Sequence, residues 1–185
     1  MQKSTTLLVS SSAIAALALT GCTHNIPAYS TSYNNVMQAK AIKGTHPIAL
    51  GQFIDPKNTL SIACRAEGTE KLPGGMSYVG YIKNAMQNEL HASGLYNPNS
   101  KTKLDATLTK IDFTSSIGHG KWFIGMQFND HKQAPYRIYS TYDFSTNFVA
   151  DVACQEVATA FPEAVEQFLR TVYASPKFKR TLTGR

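Results

Sequence analysis

The first 22 residues of the chain indicate which part of it remains in the mature protein and in which compartment that part folds. Lys3 comes before an apolar run, Leu7–Leu19, and the small residues Thr20–Gly21 lead into Cys22. A basic start, a short apolar run and small residues before a cut site are typical of a secretory signal. The run is too short to span a bilayer, which takes about 20 apolar residues. We therefore predict that residues 1–21 are a signal peptide.

The residues around the cut site predict how the exported chain is held. Leu19–Cys22 reads Leu-Thr-Gly-Cys and resembles the bacterial lipobox, in which signal peptidase cuts before the cysteine and the new N-terminus carries lipid. The resemblance implies acylation of Cys22, including palmitate, and several acyl chains anchor where one chain is marginal. Thr23 stands where Asp tends to retain such proteins in the inner membrane, so the same resemblance implies an outer-membrane lipoprotein facing the periplasm. A plain secretory signal is the alternative.

The cysteine count agrees with an exported protein. With Cys22 assigned to lipid, Cys64 and Cys154 are the remaining thiols, and an even pair in an oxidising compartment usually forms a disulfide. Such a bridge closes a loop of about 90 residues, for which chain entropy predicts roughly 4–5 kcal/mol of stabilisation. Two buried free thiols are the alternative, and a redox pair is disfavoured because the sequence has no Cys-x-x-Cys.

The charge balance favours anionic partners of the cell envelope. The formal net charge is +6, and removal of residues 1–21 takes away Lys3 and no acidic residue, which leaves +5. A modest positive charge attracts anionic material, which in the periplasm means lipopolysaccharide, phospholipid headgroups or peptidoglycan. Nucleic acid is not expected as a partner there. The alternative is that the charge serves solubility alone.

The order of strand and helix patterns predicts an α+β fold. Residues 22–35 are small and polar, which predicts a flexible tether after the lipidated cysteine, and residues 36–185 form one domain with a helical turn at 36–42. The strands are predicted at residues 47–53, 60–66, 103–113, 121–128 and 136–144, from alternating apolar residues. The first two of these strands are candidates for a hairpin, and a parity switch near residue 108 indicates a bulge.

Two longer segments have the spacing of amphipathic helices. In Ser77–Ser93 the apolar residues recur every three or four positions, with Ser77 as N-cap and Gly94 as C-cap. The second helix covers 149–173, where Pro162 predicts a kink or two abutting helices, and Pro176 predicts a stop. Strands in runs and separated helices predict an antiparallel sheet of about five strands with two helices packed on one face. This layout places Cys64 near Cys154.

Short motifs spread over roughly residues 32–182 carry a resemblance to a known group of proteins. They are Ala63–Ala66, Tyr81–Ala85, Glu89–Leu90, Gly94–Tyr96, Ile111–Phe113, Gly120–Trp122 and Phe148–Cys154. With these motifs the chain resembles a group of uncharacterised proteobacterial outer-membrane lipoproteins, and in layout it is similar, more weakly, to the YajG-type lipoproteins. The resemblance implies location and fold but no chemical activity.

The sequence carries no recognised catalytic or metal-binding motif. It has no His-Glu-x-x-His and no Gly-x-Ser-x-Gly, so we predict no metal ligands, no cofactor and no catalytic residues. His119, on a loop near Asp112, is the one candidate general base, and an exposed loop histidine is the commoner case. We therefore expect a protein that is not an enzyme.

Aromatic and basic residues mark a candidate binding surface. Phe123, Arg137 and Tyr139 have the parity opposite to the core residues of their strands, so they are expected on the open face of the sheet. The basic tail adds Lys177, Lys179 and Arg180, and ordinary cross-strand pairing is the alternative. These features favour an adaptor or accessory subunit at the outer membrane, bound to another envelope protein. A binding module for peptidoglycan or lipopolysaccharide is the second hypothesis, and a cell-wall enzyme is the third.

Overall fold

The chain folds into α and β elements, as predicted. The structure is a computed structural model that describes residues 22–184, so the predicted signal peptide lies outside the described residues. In chain order the elements are β1 (Cys22–Asn25), α1 (Tyr33–Lys40), β2 (Ala49–Ile54), β3 (Ser61–Cys64), β4 (Gly68–Lys71), a 3-10 turn (Pro73–Gly75), α2 (Tyr78–Ala92), β5 (Lys103–Ser116), β6 (His119–Asn129), β7 (Tyr136–Phe144), α3 (Ala150–Ala174) and α4 (Pro176–Thr183).

The larger sheet has four strands in the order β2-β5-β6-β7. β5, β6 and β7 are antiparallel neighbours, whereas β2 runs parallel to β5. Because side chains alternate along a strand, Trp122, Met126 and Ile138 are buried on the side that faces the helices. The register shifts between Leu108 and Lys110, which confirms the predicted bulge.

The smaller sheet has three strands in the order β1-β4-β3, with β1 parallel and β3 antiparallel to β4. The predictions of one antiparallel five-stranded sheet and of a β2–β3 hairpin are therefore wrong, because each sheet contains a parallel pair and β3 pairs with β4. The sequence analysis missed β4 because the residue that points inward from it is Glu70, which is buried, and a carboxylate gives no apolar alternation.

Residues 22–184 contain four α-helices rather than the two predicted. α2 begins where predicted, with the Ser77 Oγ accepting a hydrogen bond from the Gly80 N–H at 3.2 Å, and Gly94 has a φ of +76° just beyond its end. α3 continues as one helix across Pro162. α4 was predicted only as a basic tail, although its Phe178 and Leu182 are buried. Among the described residues, no helix combines the length and the apolarity that crossing a bilayer requires.

The buried apolar residues form one cluster between the four-stranded sheet and the helices. Its largest member is Trp122, whose ring lies 4.7 Å from that of Phe161 on α3 and 4.8 Å from that of Phe113 on β5, centroid to centroid. The Trp122 indole N–H donates to the Val157 carbonyl at 3.0 Å. A buried indole N–H needs such a partner, so α3 is held on the sheet by both packing and a hydrogen bond.

Residues 22–35 are packed on the domain, so the prediction of a flexible tether is wrong for the described residues. β1 pairs along its full length with β4, Ile26 lies in the core cluster, and Ser32 and Asn35 are buried at the start of α1. The segment is polar because its buried polar residues form hydrogen bonds with partners inside the domain. Composition alone therefore suggested a linker where tertiary contacts make a strand and a helix.

The predicted disulfide is confirmed. Cys64 at the end of β3 is bonded to Cys154 in the first turns of α3, with Cα atoms 5.8 Å apart. Both residues are fully buried. The bridge ties the small sheet to the longest helix.

Candidate functional site

The open face of the four-stranded sheet carries the predicted aromatic residues. Tyr139 is 56% exposed there, and Phe123 on β6 is half-buried with the Lys110 ammonium 6.0 Å from its ring centroid. The Tyr139 ring lies over Gly125, since a Cβ at Gly125 would come 2.3 Å from that ring. Glycine at this position therefore lets the tyrosine lie close to the sheet.

Ion pairs give the open face a mixed charge. Lys110 Nζ lies 2.7 Å from Asp112 Oδ2, and Lys121 Nζ lies 3.0 Å from Asp143 Oδ1. Arg137 Nε donates to the Gln127 side-chain oxygen at 3.0 Å. Lys110 and Lys121 on this face are therefore each paired with an anion.

The structure does not bring the six predicted surface residues together. Lys177, Lys179 and Arg180 lie on the exposed side of α4, whose buried side packs into the core. The α4 residue Thr181 lies 3.3 Å from the Tyr136 hydroxyl, oxygen to oxygen, and Tyr136 points to the opposite side of β7 from Arg137. The basic residues of α4 and the aromatic residues of the open face are thus two separate surfaces.

His119 and Asp112 are also separate. Asp112 lies opposite Phe123, in the body of the β5–β6 pair, while His119 lies opposite Ser116 at the hairpin end. Four residues of a strand cover about 13 Å. The geometry therefore does not make this histidine and this carboxylate a proton-transfer pair.

A buried carboxylate lies next to the disulfide. Glu70 on β4 is buried, and neither of its carboxylate oxygens has a hydrogen-bond partner among residues 22–184. Burial raises the pKa of Glu70 to about 8. The His24 Nδ1 lies 3.9 Å from its Oε1, and the His24 Nε2 lies 3.0 Å from Asp151 Oδ1 on α3. His24 thus connects the buried carboxylate to the start of α3.

β1, β4 and α3 bring His24, Glu70 and Cys154 together. The potential metal-ligand atoms of these three residues lie within 4.8 Å of one another. A thiolate is the form of cysteine that binds metals, and the Cys154 sulfur is held in the disulfide. This group is therefore not a metal site while the bridge is intact.

The raised pKa of Glu70 predicts a pH-dependent stability. Between about pH 4.5 and 8 the unfolded chain ionises this carboxyl while the folded chain keeps it protonated, so the free energy of unfolding falls as the pH rises, by at most about 1.4 kcal/mol per pH unit. Glu70→Gln should flatten this part of the pH profile and be more stable than the parent at pH 8. Urea unfolding at pH 5, 6.5 and 8 measures it. A profile equally steep in Glu70→Gln would contradict the assignment.

A second buried carboxylate holds residues 22–35, which we call the N-terminal segment. The Glu89 Oε1 on α2 accepts hydrogen bonds from the Tyr29 hydroxyl at 2.5 Å, the Ser32 N–H at 3.2 Å and the Asn35 side-chain amide at 3.2 Å. Burial raises the pKa of Glu89, and these hydrogen bonds partly offset the effect. The hydroxyl of Tyr173 on α3 also faces this carboxylate, which lacks a hydrogen bond on its Oε2.

Sequence reasoning did not identify Glu70, Glu89 and His24 as buried polar residues. For Glu89 a signal existed, because it falls on the apolar stripe of α2 together with Ile82 and Met86, and a carboxylate on such a stripe needs buried partners. For His24 and Glu70 no local signal existed, since their burial depends on the pairing of two short strands.

Comparison with known proteins identifies a fold neighbour among the solved structures. No family model matches the sequence, and no curated protein is similar to it. The structure resembles the crystal structure of protein XCC0632 from Xanthomonas campestris, described as family-model DUF330, with a TM-score of 0.55 over 82% of this chain and 92% of that chain. The sequences are 10% identical. The chain therefore shares its fold with a protein of an uncharacterised proteobacterial family, and at this identity the likeness concerns the fold alone.

Proposed function

We propose that this chain is a non-enzymatic cell-envelope lipoprotein, anchored to the outer membrane through Cys22, that serves as an adaptor or accessory subunit for another envelope protein. The lipobox-like residues Leu19–Cys22 support the anchor. The Cys64–Cys154 bridge supports an oxidising compartment such as the periplasm. The buried carboxylates Glu70 and Glu89 both contact the N-terminal segment. Buried carboxylates are uncommon in a domain, and here both help to position that segment.

The observation that carries the adaptor role is the open face of the four-stranded sheet. Tyr139 and Phe123 lie on it, side by side with paired charges, and no helix covers them among the described residues. Aromatic residues within a polar surround are the composition of protein–protein interfaces. The docked N-terminal segment would present this face in a constant orientation relative to the membrane.

Site-specific photo-crosslinking in cells tests the adaptor role. A benzophenone amino acid replaces Tyr139 in one variant and Tyr33 in the control; Tyr33 is 73% exposed and lies on α1, away from the open face. We expect one dominant protein adduct from position 139 and none of that mass from position 33. Glycan or lipid adducts alone, or equal adducts from both positions, would contradict the proposal.

A binding module for anionic envelope material is the second candidate, and α4 is the feature that favours it. Lys177, Lys179 and Arg180 are exposed on one short helix. Replacing all three by alanine should abolish co-sedimentation with peptidoglycan or lipopolysaccharide at low salt, because such binding depends on these charges and is screened by salt. Retention that persists in the triple variant, or no retention in the parent, would reject this candidate.

A further inference from the structure

Four exposed apolar side chains gather at one end of the domain, where β5 turns into β6 and where β7 leads into α3. Phe148 is 76% exposed and Ile117 is 64% exposed, and Val149 and Val152 are exposed as well. We call these four residues the apolar end cluster. Single exposed apolar side chains are ordinary, whereas a group of them marks a surface that another apolar phase covers.

Hydrogen bonds to main-chain carbonyls hold the two loops of the apolar end cluster side by side. The Gly118 N–H donates to the Thr146 carbonyl at 3.0 Å, and the Thr146 hydroxyl donates to the Ser116 carbonyl. The guanidinium of Arg65, in the turn after β3, donates to the Asn147 and Phe148 carbonyls at 3.2 Å each. These contacts fix the backbone under the apolar side chains and leave the side chains themselves free.

The first residue of β1 lies at the same end. Cys22 pairs in register with Gly68, and Gly68 pairs with Cys64, the residue before Arg65. Two residues further along β1, the His24 Nε2 lies 3.0 Å from Asp151, which stands between Val149 and Val152 in the chain. A strand advances ~3.3 Å per residue, so the Cys22 backbone lies only ~7 Å along β1 from this contact with α3.

We propose that the apolar end cluster seats in the headgroup region of the bilayer into which the acyl chains of Cys22 insert. This inference rests on the lipid anchor of the proposed function. Acyl chains attached to Cys22 would bring the bilayer to this end of the domain, because residues 22–35 are docked rather than free. The lipid surface is therefore the phase that meets Phe148 and its neighbours, and their transfer from water into the interface fixes the orientation of the domain.

The charged groups near the apolar end cluster are of both signs, which predicts a particular lipid dependence. The guanidinium of Arg65 donates to carbonyl groups, Lys121 is paired with Asp143, and Asp151 and Glu156 supply carboxylates. The association should therefore occur on zwitterionic phosphatidylcholine and be insensitive to salt. This separates it from any binding through the basic residues of α4, which salt would weaken.

Tryptophan reporters test the inference on the acylated, full-length mature protein. The protein is purified from membranes, acylation of Cys22 is verified by mass spectrometry, and the protein is reconstituted into phosphatidylcholine vesicles that contain brominated lipid as a quencher. Phe148→Trp places the reporter in the apolar end cluster, and Tyr33→Trp is the control. Tyr33 is equally exposed, and α1 contacts the second half of α3 through Asn35 and Glu166. Trp122 is buried and gives the same background in both.

We expect the emission of Phe148→Trp to shift to the blue and to be quenched by the brominated lipid, in low and high salt alike, while Tyr33→Trp is not quenched. An unquenched Phe148→Trp on protein with acylated Cys22, or equal quenching of both reporters, would overturn this inference and leave the anchor intact. Absence of acylation would overturn the proposed function instead. A protein adduct from a photo-crosslinker at Phe148 in cells would assign the cluster to a protein partner and would also overturn the inference.

Discussion

Replacing Cys64 by serine should lower the free energy of unfolding by about 3–5 kcal/mol. The bridge to Cys154 spans a sequence separation of 90 residues, so its loss frees a long loop in the unfolded chain. Loss of the bridge also leaves a hydroxyl and a thiol in a fully buried place. Urea unfolding of the lipid-free Cys22→Ser domain, with and without the second substitution, measures the difference.

Matched variants separate loss of the bridge from damage by the new side chain. Cys154→Ser should cost about as much as Cys64→Ser, and the double variant should cost little more than either, because each single change already removes the bond. A reductant should lower the stability of the parent and not that of the variants. If the parent resists urea no better than the variants, or if both thiols react with Ellman's reagent in the native parent, the bridge does not stabilise the fold.

Replacing Glu89 by alanine should destabilise the domain by about 3 kcal/mol, because three donors that the carboxylate satisfies lose their acceptor together. These are the Tyr29 hydroxyl, the Ser32 N–H and the Asn35 side-chain amide. The damage should begin in the N-terminal segment, since all three donors lie in it. Hydrogen exchange should show residues 22–40 losing protection before the strands of the larger sheet do.

Glu89→Gln is the control for this prediction. It keeps a side chain of the same size with one acceptor oxygen, so it should cost only about 1 kcal/mol. If Glu89→Ala leaves the protection of residues 29–35 unchanged while the whole domain melts earlier, the carboxylate does not dock the N-terminal segment. Equal costs for the two substitutions would show that the hydrogen bonds contribute nothing.

The elements that could be predicted from the sequence are those whose pattern is local. β5, β6 and β7 are long enough for alternation to be read, and α2 combines an apolar stripe with the Ser77 cap. The bridge could be predicted because an export signal implies an oxidising compartment, in which an even pair such as Cys64 and Cys154 usually forms a disulfide. The bulge after Leu108 was visible as a change of parity.

The elements that sequence reasoning missed are those whose formation depends on distant residues. β1 and β4 have four residues each, too few to show a period, and they exist because they pair with each other and because β4 also pairs with β3. Residues 29–35 are polar enough to resemble a linker, and distant partners such as Glu89 on α2 hold them on the domain. The six candidate surface residues fall on two separate surfaces for a related reason. Parity placed Phe123 and Tyr139 on the open face of the sheet but could not show that α4 packs on the other side.

Lipidation of Cys22 is the claim on which the envelope role and the orientation of the domain both depend. Cells that express the full chain are fed radioactive palmitate, and the chain is recovered from the outer-membrane fraction next to a Cys22→Ala control. The account predicts that the parent is labelled in the outer-membrane fraction and that the control carries no label. An unlabelled parent, or a label that remains in Cys22→Ala, would contradict it.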